Sequence, residues 1–395
     1  MKTNQNKHNK LRFLNIIFGI PAFFISMFLP KHKTRIIFNS HFNTKFDYNS
    51  KYLFLYMMKC GYDVYFVIND DILREKLIEK YGDKFIETKT LKGKIFALRS
   101  KLWFISAFEM PVGGIFLKYF ITIVHLTHGS LVKNVGLLEK DISFFKKIYY
   151  KCFVRTNISY SIATSEFFVD STSKYIGIDK KNVLITGFPR NDALFLDNKK
   201  KFPTIDSKKY NILYAPTWRK DTKTKLFPFE NLDFDELNNF LELNDIVLHI
   251  RLHPVFEDIL DKKILSKNIK LFSSKICDEI MDALVNFDAL ITDYSSIMYD
   301  FLLLDRPIIF LPYDYEEYKE KVGFAVEYSK IAAGQKPKTL DEFKYSLIDI
   351  KDIDTFSGSR KNISMICNKF HYGNCKRLID VLIDKKIEPL YPFSS

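Results

Sequence analysis

The sequence is short of the residues that mark several common classes of protein. Its five cysteines (Cys60, Cys152, Cys277, Cys367 and Cys375) are scattered, odd in number and never spaced CxxC. A disulfide scaffold and a structural zinc site are therefore not expected, and a reducing, cytoplasmic setting is. No DxD-like or His-rich cluster stands out, so no tightly bound metal is expected either. There is no internal repeat and no low-complexity tract beyond a basic leader, and no aromatic RNA-binding motif is visible. Long apolar runs are missing too, with one exception at residues 13–30. A small-residue cleavage site is lacking at Leu29-Pro30-Lys31, which argues against a removable signal peptide.

Aromatic rings and positive charge are what the chain has in plenty. With 38 Phe and 22 Tyr in 395 residues it can bury large areas, and its length suits two domains with separate cores. The 60 Lys and Arg outnumber the 47 Asp and Glu, a net charge of +13. Such an excess favours a polyanionic partner: nucleic acid, anionic lipid or a phosphate polymer.

The apolar exception, FLNIIFGIPAFFISMFLP at 13–30, has basic residues on both sides: Lys2, Lys7, Lys10 and Arg12 before it, Lys31, Lys33 and Arg35 after it. It is at the short limit for a membrane span, which needs about 17 to 25 residues, and it contains Pro21. Both basic flanks would favour the cytoplasmic side of a bilayer. An interfacial or re-entrant anchor is preferred over a span, or over a helix packed on the protein itself. Residues 1–33 are thus read as a membrane-associating leader, with an anionic membrane surface as partner and no nucleic acid.

Beyond the leader, short apolar runs alternate with amphipathic stretches, the pattern of parallel α/β sheets. Strands are expected at 35–39, 64–68, 102–106, 121–126, 160–163 and 183–186, with a helix at 49–60. A charged stretch at 197–209 reads as a linker. A second series follows at 212–215, 246–250, 269–272, 289–292 and 307–311, with helices at 234–243, 278–286 and 375–384. The fold class is α/β: two Rossmann-like domains, 34–196 and 210–385, facing a cleft. In such sheets ligands bind beyond the carboxyl ends of the strands, so the residues just after each strand are the ones to inspect.

Five stretches lie there. His128-Gly129-Ser130 follows the strand at 121–126. An imidazole can accept a proton near neutral pH and the glycine permits close ligand approach, although a lone strand-end histidine is often structural. His125 is read as core. GFPRND (187–192) contains Gly187, Pro189, Arg190 and Asp192; Arg190 either reaches a phosphate or pairs with Asp192. YAPTWR (214–219) brings Thr217, Trp218 and Arg219, the tryptophan either walling a nucleotide pocket or packing in a core. RLHP (251–254) projects Arg251 and His253 on one face of a strand end, a pairing suited to pyrophosphate oxygens. Asp293, Ser295 and Ser296 precede a helix that includes Asp300, either binding an anion at its N-terminus or simply capping it.

The order and spacing of these stretches, together with ITDYSSIMYDF (291–301) and RPIIFLPYDYEEY (306–318), resemble the CDP-glycerol glycerophosphotransferase family of teichoic acid primases, polymerases and related capsule polymerases. The resemblance covers roughly residues 33–385. It implies a fold of the glycosyltransferase B type with peripheral attachment to the cytoplasmic face of the cell membrane. It implies that His128 and His253 are the catalytic histidines, and that Arg251, Asp293, Ser295 and Ser296 surround the donor. The reaction implied moves a polyol phosphate from a CDP-polyol to a hydroxyl of a lipid-linked or polymeric acceptor, with Mg²⁺ at most accompanying the donor pyrophosphate. Two other readings are weighed beside it: a nucleotide-sugar glycosyltransferase on the same fold, and a non-catalytic basic protein held on a polyanion by charge alone.

Overall fold

The computed structural model describes residues 19–196, 200–219 and 224–390. The leader residues 1–18 and the first part of the expected linker, 197–199, lie outside the described residues. The chain forms two compact units. One comprises Met1–Ser130, Val135–Asp192 and Phe370–Ser395, the other Leu131–Asn134 and Ala193–Lys369.

The first unit is built on seven parallel strands: β1 (Ile36–Asn39), β2 (Val64–Val67), β3 (Phe85–Ile86), β4 (Leu102–Ile105), β5 (Thr122–His125), β6 (Tyr160–Ala163) and β7 (Val183–Ile185). Their order is β3-β2-β1-β4-β5-β6-β7, with Ile37 opposite both Tyr65 and Trp103. All four residues of β1 and of β4 are buried, which is why these strands read as unbroken apolar runs. The abundant phenylalanines meet here. Phe38 stacks on Phe104 at 4.9 Å and meets Phe54 edge-on at 5.6 Å. Strand β3, two residues long, is too short to leave a periodic signal.

The second unit holds five parallel strands: β8 (Tyr210–Tyr214), β9 (Ile246–Ile250), β10 (Ile269–Leu271), β11 (Ala289–Thr292) and β12 (Ile308–Phe310). Their order is β10-β9-β8-β11-β12, with Leu213 opposite both His249 and Leu290. The helix Phe234–Leu243 starts where expected because the Asp233 carboxylate accepts from Asp235 N at 2.8 Å and Glu236 N at 3.2 Å.

Three expectations need correction. The helix expected at 278–286 is two separate 3-10 turns, Ile280–Asp282 and Leu284–Asn286, too brief to set up an α-helical face. The closing helix, Asn374–Asp384, belongs to the first unit rather than the second. Its apolar face (Leu378, Ile379, Leu382) completes the core around β1 and β2. Conversely, Leu131–Asn134 joins the second unit, with Lys133 bridged antiparallel to Phe324. Periodicity reveals that a segment has an apolar face, not which sheet it covers.

At the amino end, the described part of the leader is the ten-residue helix Gly19–Phe28. Pro21 sits in its first turn, where a missing N–H removes no helical bond. Among the described residues no helix is long and apolar enough to cross a membrane.

Candidate functional site

In the first unit, β5 ends at His125 and the chain turns sharply before His128. Thr127 has φ 54°, a left-handed conformation that a β-branched residue adopts only when its surroundings hold it there. The hold is visible. Asn49 donates from Nδ2 to the carbonyls of Leu126 and Thr127, at 2.9 and 3.0 Å. Its Oδ1 accepts from Arg190 N at 3.1 Å, and Arg190 Nη1 in turn donates to the His128 carbonyl at 2.6 Å. Arg190 is 6% exposed. The HG and GFPRND stretches, some sixty residues apart, are thus one structure.

The His128 ring is exposed while its main chain is clamped. Beside it stand Tyr48 and His41, with ring centroids 5.5 and 6.3 Å away. Neither was singled out from the sequence. His41 follows β1 by two residues, so the strand-end rule applied to the first strand would have found it. Ser130 is buried, its hydroxyl 3.2 Å from Thr164 Oγ1. Gly187 has φ 75°, and a Cβ there would strike the Asn374 side chain. Asp192, expected beside substrate, accepts instead from Asn374 N and Cys375 N, both at 2.8 Å. Both carboxylate oxygens are engaged at the start of the closing helix.

His125 differs from its neighbour. It is buried, stacked on Phe108 at 4.8 Å, and burial followed by the nearby His128 lowers its pKa to about 3. It is a neutral core residue, as read from the sequence.

In the second unit two different arrangements lie side by side in sequence. The first is a sealed electrostatic node. Arg219 grips Asp314 with two bonds, Nε to Oδ2 at 2.7 Å and Nη2 to Oδ1 at 2.9 Å, and lies 2.9 Å from Asp293 Oδ2. Its remaining Nη1 donates to the Thr217 carbonyl at 2.7 Å, and the rings of Tyr294, Tyr313 and Tyr318 surround the guanidinium. Burial alone would lower the Arg219 pKa, but the Asp314 bond and the Asp293 charge outweigh it and raise it. Asp293 Oδ1 accepts from Thr217 N and Tyr294 N at 2.7 and 2.6 Å. Arg219 and Asp293, expected at the donor, are buried, with Arg219 bonded to Asp314 and ion-paired with Asp293, tying together the ends of β8, β11 and β12. Asp300, expected with them, is buried on its helix. Thr217 Oγ1 lies buried in the node without a hydrogen-bond partner.

The second arrangement is open. Trp218 is 38% exposed, and its ring lies 6.1 Å from both His253 and Phe256. Thus YAPTWR and RLHP contribute adjacent rings, and His253 is exposed. Arg251 donates to the carbonyls of Phe272 and Asp278, at 3.2 and 3.0 Å. These are neutral acceptors, which leave its charge uncompensated by those bonds. Ser295 and Ser296 are half-buried ahead of the six-residue helix Ile297–Leu302, and Ser296 makes no side-chain capping bond. His249 is buried within β9, bonded through Nε2 to Asn211 at 2.9 Å, its pKa lowered by burial to about 4. Among the described residues no group of three or more His, Cys, Asp or Glu is gathered to hold a metal ion.

Comparison with known proteins agrees with this architecture. The family model for CDP-Glycerol:Poly(glycerophosphate) glycerophosphotransferase matches residues 21–381. The chain is 27% identical over 344 residues to the teichoic acid glycerol-phosphate transferase of Staphylococcus aureus, covering 82% of this chain and 85% of that protein. It is 26% identical to the teichoic acid ribitol-phosphate polymerase TarL of the same organism, over 90% of this chain. It spans 62% of the length of TarL and 44% of the length of the poly(glycerol phosphate) polymerase of Bacillus subtilis. Among solved structures, the wall teichoic acid polymerase TagF superposes with a TM-score of 0.73 at 20% identity, over 98% of this chain and 99% of that one. That likeness establishes the fold, two parallel α/β units of the glycosyltransferase B type. With the family model spanning nearly all of the described residues, the chain belongs to the CDP-glycerol:poly(glycerophosphate) glycerophosphotransferase family, the enzymes of teichoic acid synthesis.

Proposed function

We propose that the protein transfers a polyol phosphate, glycerol phosphate in the first instance, from a CDP-polyol to a hydroxyl of a lipid-linked or polymeric acceptor at the cytoplasmic face of the membrane. The acceptor oxygen attacks the β-phosphorus of the donor, the bond from that phosphorus to the bridging oxygen breaks, and CMP leaves. His128 accepts the proton of the attacking hydroxyl. His253 and Arg251 stabilise the charge that builds on the departing phosphate, with Trp218 flanking the nucleotide and the Ser295-Ser296 turn near the pyrophosphate. Mg²⁺, if recruited, accompanies the donor phosphates rather than a protein site.

One observation carries this reading: an exposed imidazole stands on a main chain that is strained and held from two directions, by Asn49 and Arg190. A structural histidine has no need of such support, whereas a proton acceptor must be fixed relative to the reacting hydroxyl. The test is to supply CDP-glycerol, CDP-ribitol and a lipid acceptor, and to measure CMP and product mass. The expected result is CMP release with products longer by one or more polyol phosphate units. Inert CDP-polyols alongside UDP release from a sugar donor would overturn it in favour of glycosyl transfer.

A further inference from the structure

The strain at Thr127 is not isolated. Between β1 and the helix Tyr48–Lys59, Phe42, Asn43 and Tyr48 have φ of 51°, 58° and 53°. Asparagine visits this left-handed region readily, whereas phenylalanine and tyrosine enter it only under constraint. Glycine would adopt such angles without strain, yet residues 40–50 contain none. The strained residues gather beside one side chain, the exposed imidazole of His128.

The constraint is built from side chains. Asn39, at the end of β1, donates through Nδ2 to Asn43 Oδ1 at 2.7 Å and to the Glu109 carbonyl at 2.6 Å. Asn43 Nδ2 donates to the Met110 carbonyl at 3.0 Å. Asp47 is of a type favoured as a helix cap, but its side chain makes no capping bond. Its carboxylate accepts instead from the Ser40 hydroxyl, tying the exit of β1 to the start of the helix. The next three residues face the strand ends. Tyr48 is half-buried, its ring 5.5 Å from that of His128 and tilted by 47°. Asn49 holds the Leu126 and Thr127 carbonyls, and Ser50 N donates to Ser106 Oγ, just beyond β4, at 2.9 Å. His41 closes the corner, 6.1 Å from Tyr48 and 6.3 Å from His128.

We propose that Tyr48 is a positioning residue for the His128 imidazole, with His41 as the second wall of the corner that orients it. The inference rests on His128 being the proton acceptor. Asn49 and Arg190 act on carbonyls, so they fix the main chain of the turn without restraining the side-chain torsions of His128. An exposed ring on a fixed main chain still changes rotamer. Proton transfer needs one of its nitrogens within hydrogen-bond reach of the attacking hydroxyl, so orientation matters as much as position. Contact with two flanking rings restrains it. The left-handed start of the helix is what aims the Tyr48 Cα–Cβ bond at this corner, which accounts for tyrosine where glycine would be relaxed.

The test is a set of Tyr48 variants of the full chain, assayed for CMP release from the CDP-polyol it accepts. Tyr48→Ala should lower kcat about 10- to 100-fold, the scale for a reacting group displaced by about an ångström, and leave the donor KM unchanged. Tyr48→Phe keeps the ring and should recover most of that loss. Tyr48→Gly loses the ring but relaxes the backbone, so it should be as slow as Tyr48→Ala with a higher urea midpoint. That variant keeps the question answerable if Tyr48→Ala folds poorly. In a His128→Asn background, Tyr48→Ala should add no further loss, because a residue acting through the imidazole then has nothing to orient. Equal losses in the two backgrounds, a Phe variant as slow as the Ala variant, or full kcat in Tyr48→Ala overturns the proposal. Full activity of His128→Asn overturns instead the assignment of His128 as proton acceptor, so the two failures are separate results.

Discussion

Each sheet carries two histidines a few residues apart, and the two pairs are laid out alike. In the first unit His125 closes β5 and His128 stands three residues beyond; in the second His249 lies within β9 and His253 stands three residues past its end. The inner member of each pair is sealed among rings, Phe108 and Tyr175 for His125, Phe272 and Phe287 for His249. The outer member is exposed beside aromatic company, Tyr48 for His128 and Trp218 for His253. Three or four residues of strand exit separate a buried, neutral imidazole from a solvent-exposed one. The supports differ as well. The turn at His128 is pinned by a buried arginine and an asparagine, while Trp218 is flanked by a sealed ion node in which Arg219 pairs with both Asp293 and Asp314.

The largest effect should separate inner from outer. His128→Asn is expected to lower kcat for CMP release by about 10² to 10⁴ with little change in unfolding midpoint, the range for loss of a general base. His125→Asn should instead shift the midpoint and leave the residual enzyme's pH profile alone. An active His128 variant would remove the distinction on which the comparison rests.

Next comes the node. Arg219→Met strands the Asp293 and Asp314 carboxylates in the interior and should cost about 3 to 5 kcal/mol of stability, read by urea unfolding. A loss confined to donor KM, with the midpoint intact, would mean that Arg219 serves the donor after all.

Smaller is the effect at the clamp. Arg190→Ala removes a charged donor from the His128 carbonyl, at a cost of about 1.5 to 3 kcal/mol. Because the ring itself is untouched, kcat should fall far less than in His128→Asn, and Arg190→Lys should restore part of it.

Acid should reveal the inner pair. Both have folded pKa values below the ordinary 6.5, about 3 for His125 and about 4 for His249, so the unfolded chain binds more protons between these values and 6.5. Stability is therefore full above pH 6.5 and falls as the pH drops through that window, by up to about 1.4 kcal/mol per pH unit for each histidine. Removing one of them, as in His249→Asn, should flatten the slope of urea midpoint against pH. Smallest of all, Thr217→Val should be neutral or slightly stabilising, since its buried hydroxyl has no partner to lose. A raised donor KM in that variant would show that the hydroxyl is kept for the ligand.

Much of this is legible in the sequence. The strands at 160–163, 246–250 and 289–292 have the expected bounds, because apolar runs bracketed by turn residues report burial on both faces. The strand-end rule reached His128, Trp218 and His253, which the structure leaves accessible. Arg219 and Asp293 proved to be buried against counter-charges and Asp192 to be bonded to backbone amides, because a charged residue after a strand looks the same whether it meets a ligand or a buried partner. The rule missed Tyr48 and Asn49, which lie on a helix and reach the site only through the packing of that helix against the β5 exit.

Sequence by itself determined the alternating α/β plan, the two-part division and the order of motifs, because these follow from local periodicity and from residues close along the chain. Tertiary structure decided which charges are neutralised internally, that the Asn374–Asp384 helix closes the first core, and that Arg190 holds the His128 turn. Those outcomes depend on groups brought together from tens to hundreds of residues apart, and the energy of an ion pair or a clamp is set by that distance and by the exclusion of water.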